Sequence, residues 1–377
     1  MPMKEIRMVD LHGQYERLRG EIDAAIREVL ESTAFINGPA VQRFSEHLAG
    51  YTGARHVIPC GNGTDALQAA LAALALDPGD EVIVPDFTFI ATVETVALLG
   101  LTPVVADVDP DTFLLRPESV EALITPRTRA VVPVHLFGQC VDMEPLLEVA
   151  QRHRLRVVED AAQALGTWYT FSDGTRHMAG TMGDIGCTSF FPSKNLGAFG
   201  DGGAIFTDDD GLASFLRSYV NHGTRKKYYH ERVGINSRLD TLQAAILDVK
   251  LPHLDRFVEA RQRVAARYDE ALGGLPFLQV PARAPHTTHS YHQYTLVLRD
   301  TDRERFRSHL RDAGIPTMVY YPLPMHRQEA FLHFPFHDGH YPVSDRLCEQ
   351  VVSLPIHTEM EEEQLDHIIT RIQSYQP

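Results

Sequence analysis

Short runs rich in Val and Ile alternate with helix-length segments over the first two hundred residues. The apolar runs are HVIPC (56–60), EVIVP (81–85), PVVADV (103–108), AVVPVHL (130–136), RVVED (156–160), CTSFF (187–191) and GAIFT (203–207). Segments such as TDALQAALAAL and MEPLLEVAQRH separate the first five runs and are long enough for crossover helices. Continuous apolar strands joined by helices indicate a mostly parallel sheet covered on both faces. The pattern predicts an α/β fold with a seven-stranded sheet, in which ligands bind at the carboxyl ends of the strands.

The remainder of the chain has a different pattern. An amphipathic helix is predicted over residues 13–31, and a long helical stretch begins near Asp240. A strand YTLVL (294–298), a helix DRERFRSHLRDAG (302–314) and a strand PTMVYYP (316–322) then suggest a small α+β domain. Because 377 residues favour about two domains, we predict a large domain over 1–250 and a small one over 251–377. The Pro-rich segment 320–342 is expected to be ordered and to reach back toward a cleft.

Charge and cysteine usage exclude several classes of protein. The formal net charge of -15 argues against non-specific binding to nucleic acid or to an acidic membrane surface. The four cysteines form no CxxC pair, and the N-terminus has no apolar core of the kind that a signal peptide needs. We therefore expect a cytoplasmic protein with reduced thiols. The 19 histidines show no HExxH spacing, so no metal site is expected.

One lysine, Lys194, lies among apolar residues and glycines in the stretch CTSFFPSKNLGAFGDGGAIF. Burial lowers the pKa of a lysine, and a neutral amine is a nucleophile toward carbonyl groups. The alternative is a surface lysine whose aliphatic stem covers apolar neighbours. The sequence thus offers Lys194 as a candidate catalytic amine.

A second candidate feature is the stretch CGNGTDALQAALAAL at the end of the first predicted strand. Glycines allow close approach of a ligand to the backbone, and the start of a helix favours a phosphate group. Gly63 and Thr64 are therefore candidate phosphate ligands, and Ser189 could add a hydroxyl. The alternatives are an ordinary glycine turn with a threonine cap, and a strand serine that is satisfied locally.

Two further strand ends carry polar or aromatic candidates. Glu159 and Asp160 end the run RVVED, where a buried carboxylate needs a partner such as a protonated ring nitrogen; the alternative for Asp160 is a cap of the next helix. Phe87 and Phe89 follow the run EVIVP, and either could stack on an aromatic cofactor or belong to the core. A phosphate seat, a stacking ring, an acid and a lysine together are what pyridoxal phosphate requires.

The motifs GNGTDAL, EDAAQALG, TSFFPSKNLGAFGDGG and GINSRLDTLQAAIL resemble those of the DegT/DnrJ/StrS sugar-nucleotide aminotransferases, from near residue 5 to near 370. This resemblance implies the fold type I of pyridoxal-phosphate-dependent transferases, like that of aspartate aminotransferase. It also implies transamination, because the dehydratase branch of the family carries histidine where this chain has Lys194.

The resemblance assigns a role to each motif residue. Lys194 would form the covalent link to pyridoxal phosphate, and Asp160 would pair with the ring nitrogen. The other implied cofactor-binding residues are Phe89 and Ala162 on the two ring faces, Gln163 near the phenolic oxygen, Gly63, Thr64 and Ser189 at the phosphate, and Asn236 from a neighbouring subunit. The last assignment implies a homodimer with shared active sites.

The resemblance is greatest to the subgroup that aminates C3 of UDP-2-acetamido-2-deoxy-ribo-hexuluronate, with L-glutamate as donor, in polysaccharide and lipopolysaccharide O-antigen biosynthesis. It implies that Arg238 meets the sugar carboxylate, whereas an ion pair with Asp240 is the alternative. Tyr320 stands where this subgroup has histidine, which leaves another 3-keto or 4-keto nucleotide sugar open. A cofactor-bearing regulatory protein without turnover is a further alternative. The cation-rich segment 221–234 is predicted either to approach the UDP diphosphate or to be a solvated loop.

Overall fold

The computed structural model describes residues 3–377 of the chain. The helices are α1 (Leu11–Ser32), α2 (Pro39–Thr52), α3 (Gly63–Ala73), α4 (Ala91–Leu98), α5 (Pro117–Ala122), α6 (Met143–His153), α7 (Asp210–Tyr219), α8 (Thr241–Lys250), α9 (Leu254–Leu272), α10 (Arg303–Asp312), α11 (Pro342–Gln350) and α12 (Glu362–Gln373). The strands are β1 (His56–Cys60), β2 (Glu81–Pro85), β3 (Thr102–Ala106), β4 (Thr128–Val131), β5 (Arg156–Asp160), β6 (Trp168–Thr170), β7 (Arg176–Met178), β8 (Ile185–Ser189), β9 (Gly203–Thr207), β10 (Thr224–Lys226), β11 (Tyr229–His230), β12 (Leu278–Gln279), β13 (Tyr294–Leu298) and β14 (Val351–Leu354). Short 3-10 helices cover Leu136–Gly138, Leu251–His253, Met325–Arg327, Glu329–Phe331 and Pro335–Asp338.

The central sheet has seven strands in the order β1-β9-β8-β5-β4-β2-β3. Strand β9 is antiparallel to both of its neighbours, β1 and β8. The pairs β8–β5, β5–β4, β4–β2 and β2–β3 are parallel. Each of the seven apolar runs overlaps one of these strands, although β4 shares only residues 130–131 with the run 130–136. The predicted α/β fold with a mostly parallel seven-stranded sheet is confirmed.

Helices cover both faces of this sheet. Ile83 and Val157 belong to one buried apolar cluster, whereas Val82, Val84 and Val158 belong to another. Successive side chains of a strand point to opposite faces. A strand buried on both faces therefore has no polar alternation, which explains its continuous apolar sequence.

The carboxylate of Glu159, on β5, is hydrogen-bonded to other parts of the protein. Its side chain is completely buried, and its Oε2 lies 2.8 Å from Nε2 of the equally buried His135. The backbone N–H groups of Gly180, Met182 and Gly183 also donate to this carboxylate, at 2.8, 2.5 and 2.5 Å. Both carboxylate oxygens are thus occupied by the protein itself. Glu159 fastens the segment between β7 and β8 to the sheet.

A second, three-stranded antiparallel sheet of β12, β13 and β14 lies in the C-terminal part of the chain. The predicted strand over 294–298 is β13, but the predicted strand over 316–322 is wrong. In that segment only Met318 pairs with the sheet, through an isolated bridge to Ser353. Pro316 and Pro322 have no N–H to donate to a ladder, which is consistent with a short contact rather than a strand. The residues VVSL of β14 form the third strand instead.

The predicted long helical stretch is divided into α8 and α9 by the 3-10 turn at Leu251–His253, where Pro252 interrupts the hydrogen-bond ladder. Leu254 and Phe257, at the start of α9, belong to a core cluster shared with α1, α2 and α8. Tyr268 and Leu272, near its end, belong to a different cluster formed with β13, α10 and α12. Helix α9 therefore contributes to two cores, and the domain division at 250/251 stays a prediction.

Three further observations concern residues 3–377. None of their helices is both long and apolar enough to cross a membrane. No group of three or more His, Cys, Asp or Glu side chains in this range is arranged to hold a metal ion. All four cysteines are buried free thiols.

The Glu159 cluster predicts a strong effect on stability. Glu159→Ala leaves the buried His135 and three backbone N–H groups without their acceptor, so we expect the free energy of unfolding to fall by about 3–5 kcal/mol. Urea denaturation measures this change. Glu148→Ala, at an exposed position of α6, is the control and is expected to change stability by less than about 0.5 kcal/mol. Equal stability of the two variants would contradict the assignment of Glu159 as a structural carboxylate.

Candidate active site

The candidate residues meet at one edge of the central sheet. Gly63 follows β1, Phe89 follows β2, Asp160 ends β5 and Ser189 ends β8. Strands β1, β2, β5 and β8 run in the same direction, so their carboxyl ends lie at the same edge. This is where an α/β sheet binds its ligands.

The start of α3 and the end of β8 form a seat for an anion. The N-cap of α3 is Asn62, whose Oδ1 accepts a hydrogen bond from the Asp65 N–H at 2.8 Å. The N–H groups of Gly63 and Thr64 donate to no acceptor within residues 3–377. A Cβ on Gly63 would lie 2.7 Å from the Ser189 Cβ, so glycine is required for this close approach. The alternative of a threonine cap is wrong, and the free N–H groups suit a phosphate.

Two serines complete this region. The Ser189 Oγ accepts a hydrogen bond from the Phe191 N–H at 3.2 Å, so the predicted local bond is present, although its own O–H remains available to a ligand. The buried Ser237 accepts the Gly61 N–H at 2.8 Å and connects the glycine turn to the segment before α8. Sequence reasoning missed Ser237, although its neighbours Asn236 and Arg238 were candidates.

The Asp160 carboxylate is buried and oriented by two donors. Its Oδ2 accepts from the Thr92 hydroxyl at 2.8 Å, and its Oδ1 accepts from the Ala162 N–H at 3.1 Å. No helix begins after Asp160, because a turn covers residues 162–166. The predicted alternative of a helix cap is therefore wrong. Thr92, on α4, was not singled out from the sequence, where nothing distinguishes it from other threonines.

Lys194 has the environment of a reactive amine. Lys194 is half-buried in the loop between β8 and β9, and its backbone N–H donates to the Phe191 carbonyl at 2.8 Å. Burial lowers the pKa of Lys194 to about 8, although the nearby Asp160 carboxylate acts in the opposite direction. A surface lysine would keep a pKa near its usual value. The structure therefore places the amine near Asp160 and partly withdraws the lysine from water, and the role of Lys194 as the catalytic amine stays a prediction.

An aromatic wall stands beside these groups. Phe87 is buried in the core, whereas Phe89 is 53% exposed and lies 6.2 Å from the Tyr321 ring. Gln163 accepts the Phe137 N–H at 2.7 Å and donates to the Tyr321 hydroxyl at 3.0 Å. Of the two predicted stacking candidates, only Phe89 therefore has a ring available to a ligand. Tyr321 was missed because its contact with Gln163 joins residues 158 positions apart.

The Pro-rich segment reaches this edge of the sheet as expected. Its Met325 N–H donates to the Asp86 carbonyl at 3.0 Å. The His326 N–H and Nδ1 lie 2.8 and 2.7 Å from the two carboxylate oxygens of the fully buried Asp86. His326 Nε2 is also 3.4 Å from Asp345 at the start of α11. These contacts hold the segment that also carries Tyr321, whose ring lies beside that of Phe89.

The structure also positions the two predicted substrate residues, Arg238 and Tyr320, and the predicted phosphate ligand Asn236. Arg238 is half-buried and forms no ion pair with an acid of the described chain, so the alternative pairing with Asp240 is absent. Tyr320 is half-buried with its ring 6.0 Å from that of Tyr321, and burial raises its pKa. Asn236 is exposed, and its side chain hydrogen-bonds to no residue within 3–377. Within this chain, none of the three has a direct bond to Lys194 or Asp160.

The cation-rich segment forms the hairpin β10–β11. Lys226 lies over the Tyr229 ring at 4.9 Å and Lys227 over the Tyr228 ring at 5.2 Å. Tyr228 is 80% exposed. The hairpin thus presents cations on a partly aromatic, solvent-facing tip.

The residues present fit pyridoxal phosphate. The close approach of Gly63 to Ser189 leaves free N–H groups for the phosphate, and the exposed Phe89 offers a ring face. Asp160 is a buried carboxylate for a protonated ring nitrogen, and Lys194 is an amine of lowered pKa near it. Each part of the cofactor therefore has a chemically matched group.

Comparison with known proteins gives a family over nearly the whole chain. The sequence pattern of the DegT/DnrJ/EryC1/StrS aminotransferase family matches residues 16–373. A UDP-2-acetamido-2-deoxy-3-oxo-D-glucuronate aminotransferase of Pseudomonas aeruginosa is 46% identical, covering 93% of this chain and 95% of that protein. A UDP-N-acetyl-3-dehydro-alpha-D-glucosamine 3-aminotransferase of Acidithiobacillus ferrooxidans is 45% identical, covering 97% of each. A protein of Geobacillus stearothermophilus named pleiotropic regulatory protein is 44% identical, covering 98% of each.

Solved structures agree in fold. S. venezuelae DesV, in complex with a ketimine intermediate, superposes with a TM-score of 0.93 at 43% identity, covering 98% of each chain. Bacillus subtilis NtdA, with bound cofactor PMP, has a TM-score of 0.89 at 31% identity, covering 99% of this chain and 85% of that one. PMP is the aminated form of the cofactor that the site residues fit.

The environment of Lys194 predicts its titration in the cofactor-free protein. We expect acylation of Lys194 to follow a midpoint near pH 8, whereas the exposed Lys4, whose pKa is raised by its hydrogen bond to Glu361, should react with a midpoint above the ordinary lysine value of about 10.4. Asp160→Asn removes a carboxylate that raises the pKa of Lys194, so its midpoint should move lower still. Competitive labelling with peptide mass spectrometry measures these values. A midpoint equal to that of Lys4 would contradict the assignment.

Proposed function

Because the chain belongs to the DegT/DnrJ/EryC1/StrS aminotransferase family, we propose that it transfers an amino group from L-glutamate to C3 of a keto-sugar nucleotide, UDP-2-acetamido-3-keto-glucuronate. The chain is an enzyme of the pyridoxal-phosphate-dependent sugar aminotransferases. The observation that carries the proposal is the pairing of a low-pKa amine, Lys194, with a nearby buried carboxylate, Asp160. The amine would attach the cofactor and transfer the proton, and the carboxylate would keep the cofactor ring nitrogen protonated.

Pyridoxal phosphate, when bound, supplies an electron sink for charge that develops on the carbon carrying the amino group. Lys194 would hold this cofactor covalently, and its amine Nζ would take a proton from the Cα of the amino donor. A pKa of about 8 suits this role, because a useful fraction of the amine is neutral near neutral pH. Asp160 would keep the ring nitrogen protonated, since its carboxylate is held in place by Thr92 and Ala162.

The remaining cofactor residues would orient the ring and the phosphate. Phe89 and Ala162 would lie on the two ring faces. Gln163 would approach the phenolic oxygen, with its amide already fixed by Phe137 and Tyr321. Gly63, Thr64 and Ser189 would bind the phosphate through two free N–H groups and a hydroxyl.

We propose a homodimer in which Asn236 reaches the phosphate of the partner's site. Asn236 is exposed, and its side chain forms no hydrogen bond within residues 3–377. Phe35 and Ile36, which are 43% and 50% exposed, lie beside the segment before α8 through backbone contacts to Thr241 and Asp240. Exposed apolar residues next to a functional segment are typical of a subunit interface.

The substrate proposal rests on Arg238. A half-buried guanidinium without an acidic partner is suited to a carboxylate, which it can bind through two parallel hydrogen bonds. The Pseudomonas aeruginosa relative is named for a uronate substrate, in agreement with this role. Tyr320, a neutral side chain, supplies no second charge. For this reason the second candidate is another 3-keto or 4-keto nucleotide sugar, as in the Acidithiobacillus ferrooxidans relative, whose named sugar carries no carboxylate.

The hairpin β10–β11 is proposed to approach the UDP diphosphate with its lysines, in an otherwise acidic protein. The proposed setting is the cytoplasm, where the product would serve polysaccharide biosynthesis such as that of O-antigen. A non-catalytic regulatory role is the remaining alternative, since the Geobacillus stearothermophilus relative has a regulatory name.

Reductive trapping tests the proposed chemistry. Sodium borohydride added to the holoenzyme is expected to fix the cofactor on Lys194, identified by peptide mass spectrometry. Prior addition of L-glutamate should prevent trapping, because the amino group moves onto the cofactor and frees the lysine. Recovery of the label on another residue would refute the role of Lys194. Trapping that glutamate does not reduce would favour the regulatory alternative.

Arg238→Gln tests the sugar. We expect the ratio of kcat/KM for the uronate to that for its C5-hydroxymethyl counterpart to fall about 10- to 100-fold, since a hydrogen-bonded charge pair contributes about 1.5–3 kcal/mol. Arg263→Gln, at an exposed position of α9, should leave the ratio unchanged. An unchanged ratio in Arg238→Gln would favour the second candidate substrate.

A further inference from the structure

A second lysine, Lys250, is buried at the end of α8. Only 1% of its surface is exposed, and its Nζ donates to the Gly197 carbonyl at 2.7 Å. The same Nζ lies 4.6 Å from the centre of the Phe199 ring. No acid of the described chain forms an ion pair with it. A buried ammonium is thus held by one carbonyl and one ring face.

Both contacts fall on the loop that carries Lys194. The ends of this loop pair through the Phe190 N–H and the Gly202 carbonyl at 2.8 Å. Within it, a Cβ on Gly197 would lie 2.2 Å from the Pro192 carbonyl oxygen, so the chain folds tightly back on itself there. Gly197 is only three residues beyond Lys194. A displacement of the Gly197 carbonyl would therefore be transmitted through two intervening residues to the backbone of Lys194.

Helix α8 holds the loop at two points. The Gln243 Oε1 accepts the Phe199 N–H at 2.8 Å, and Lys250 binds Gly197. These helix residues are seven apart, which is about two turns, so they lie on the same face. The loop thus rests along one face of α8 and is fastened at both of these positions.

Packing alone does not explain why a lysine, and not an apolar residue, occupies position 250. Burial lowers the pKa of Lys250 to about 8, which reflects the cost of keeping its charge away from water. An apolar side chain of similar length avoids this cost. What an apolar residue lacks is the hydrogen bond to Gly197 and the attraction of a cation to the Phe199 ring.

We propose that Lys250 is a positioning residue that fixes the loop 195–199 and thereby holds the Lys194 amine at the reacting carbon. This inference rests on the proposed function for the role of Lys194. The position of the loop itself is independent of that function.

Lys250→Met and Lys250→Gln test the inference, with Lys4→Met as control. Lys4 is 74% exposed and lies in an ion pair with Glu361. In the cofactor-free protein, we expect Lys250→Met to speed amide hydrogen exchange in 195–199 about tenfold, with other segments unchanged. In the holoenzyme, the rate of reaction with L-glutamate should fall about 10- to 100-fold with little change in its KM, because a shift of about 1 Å is sufficient for such a loss. Lys250→Gln keeps a hydrogen-bond donor. Its exchange rate in 195–199 and its rate of reaction with L-glutamate should therefore lie between those of Lys250→Met and of the wild type.

Unchanged exchange in 195–199, or faster exchange throughout the chain with a matching loss of thermal stability, would overturn the inference. If Lys250→Met does not fold, the same two criteria apply to Lys250→Gln. Failure of trapping on Lys194 would instead refute the proposed function, while the exchange result would still decide whether Lys250 fixes the loop.

Discussion

The electrostatic relation between one carboxylate and one amine at the carboxyl edge of the sheet governs this site. Asp160 favours the charged form of Lys194, whereas burial favours the neutral form, and burial is the stronger effect. The Lys194 amine therefore loses its proton more readily than an exposed lysine does, but less readily than burial alone would cause. The Asp160 carboxylate is buried, and two donors, Thr92 and Ala162, hydrogen-bond to its oxygens. The fold supplies both donors from α4 and from the turn after β5.

Glu159 and Asp160 are adjacent in β5 but have different hydrogen-bond partners, because they lie on opposite faces of the sheet. Successive residues of β5 point to opposite faces of the sheet. Glu159 therefore points away from Asp160, and its carboxylate is hydrogen-bonded to His135 and to three backbone N–H groups. Asp160 keeps part of its hydrogen-bonding capacity for a ligand. The acidic dipeptide at the end of one strand thus combines a structural carboxylate with one that we propose to bind the cofactor.

The sequence predicted what depends on local pattern and missed what depends on distant contacts. All seven sheet strands were predicted, because burial on both faces gives each a continuous apolar run. The strand over 316–322 was wrong, since an apolar run alone does not reveal that β14 pairs with β13 instead. The candidate residues of the site were named from motifs and from resemblance. Thr92, Tyr321 and Ser237 were missed, because their importance arises only when segments far apart in the chain meet.

An acidic protein can bind an anionic substrate when unpaired cations lie near the binding site. A net charge of -15 repels a nucleotide sugar at long range, so attraction must come from cations that other acids do not neutralise. Many arginines of this chain, such as Arg127 with Glu81 and Arg156 with Asp184, already have acidic partners. Arg238 has none within residues 3–377. Its half-buried position also weakens screening by salt, in contrast to the exposed lysines of the β10–β11 hairpin. Selectivity for a carboxylate would therefore depend on this single guanidinium more than on the field of the whole protein.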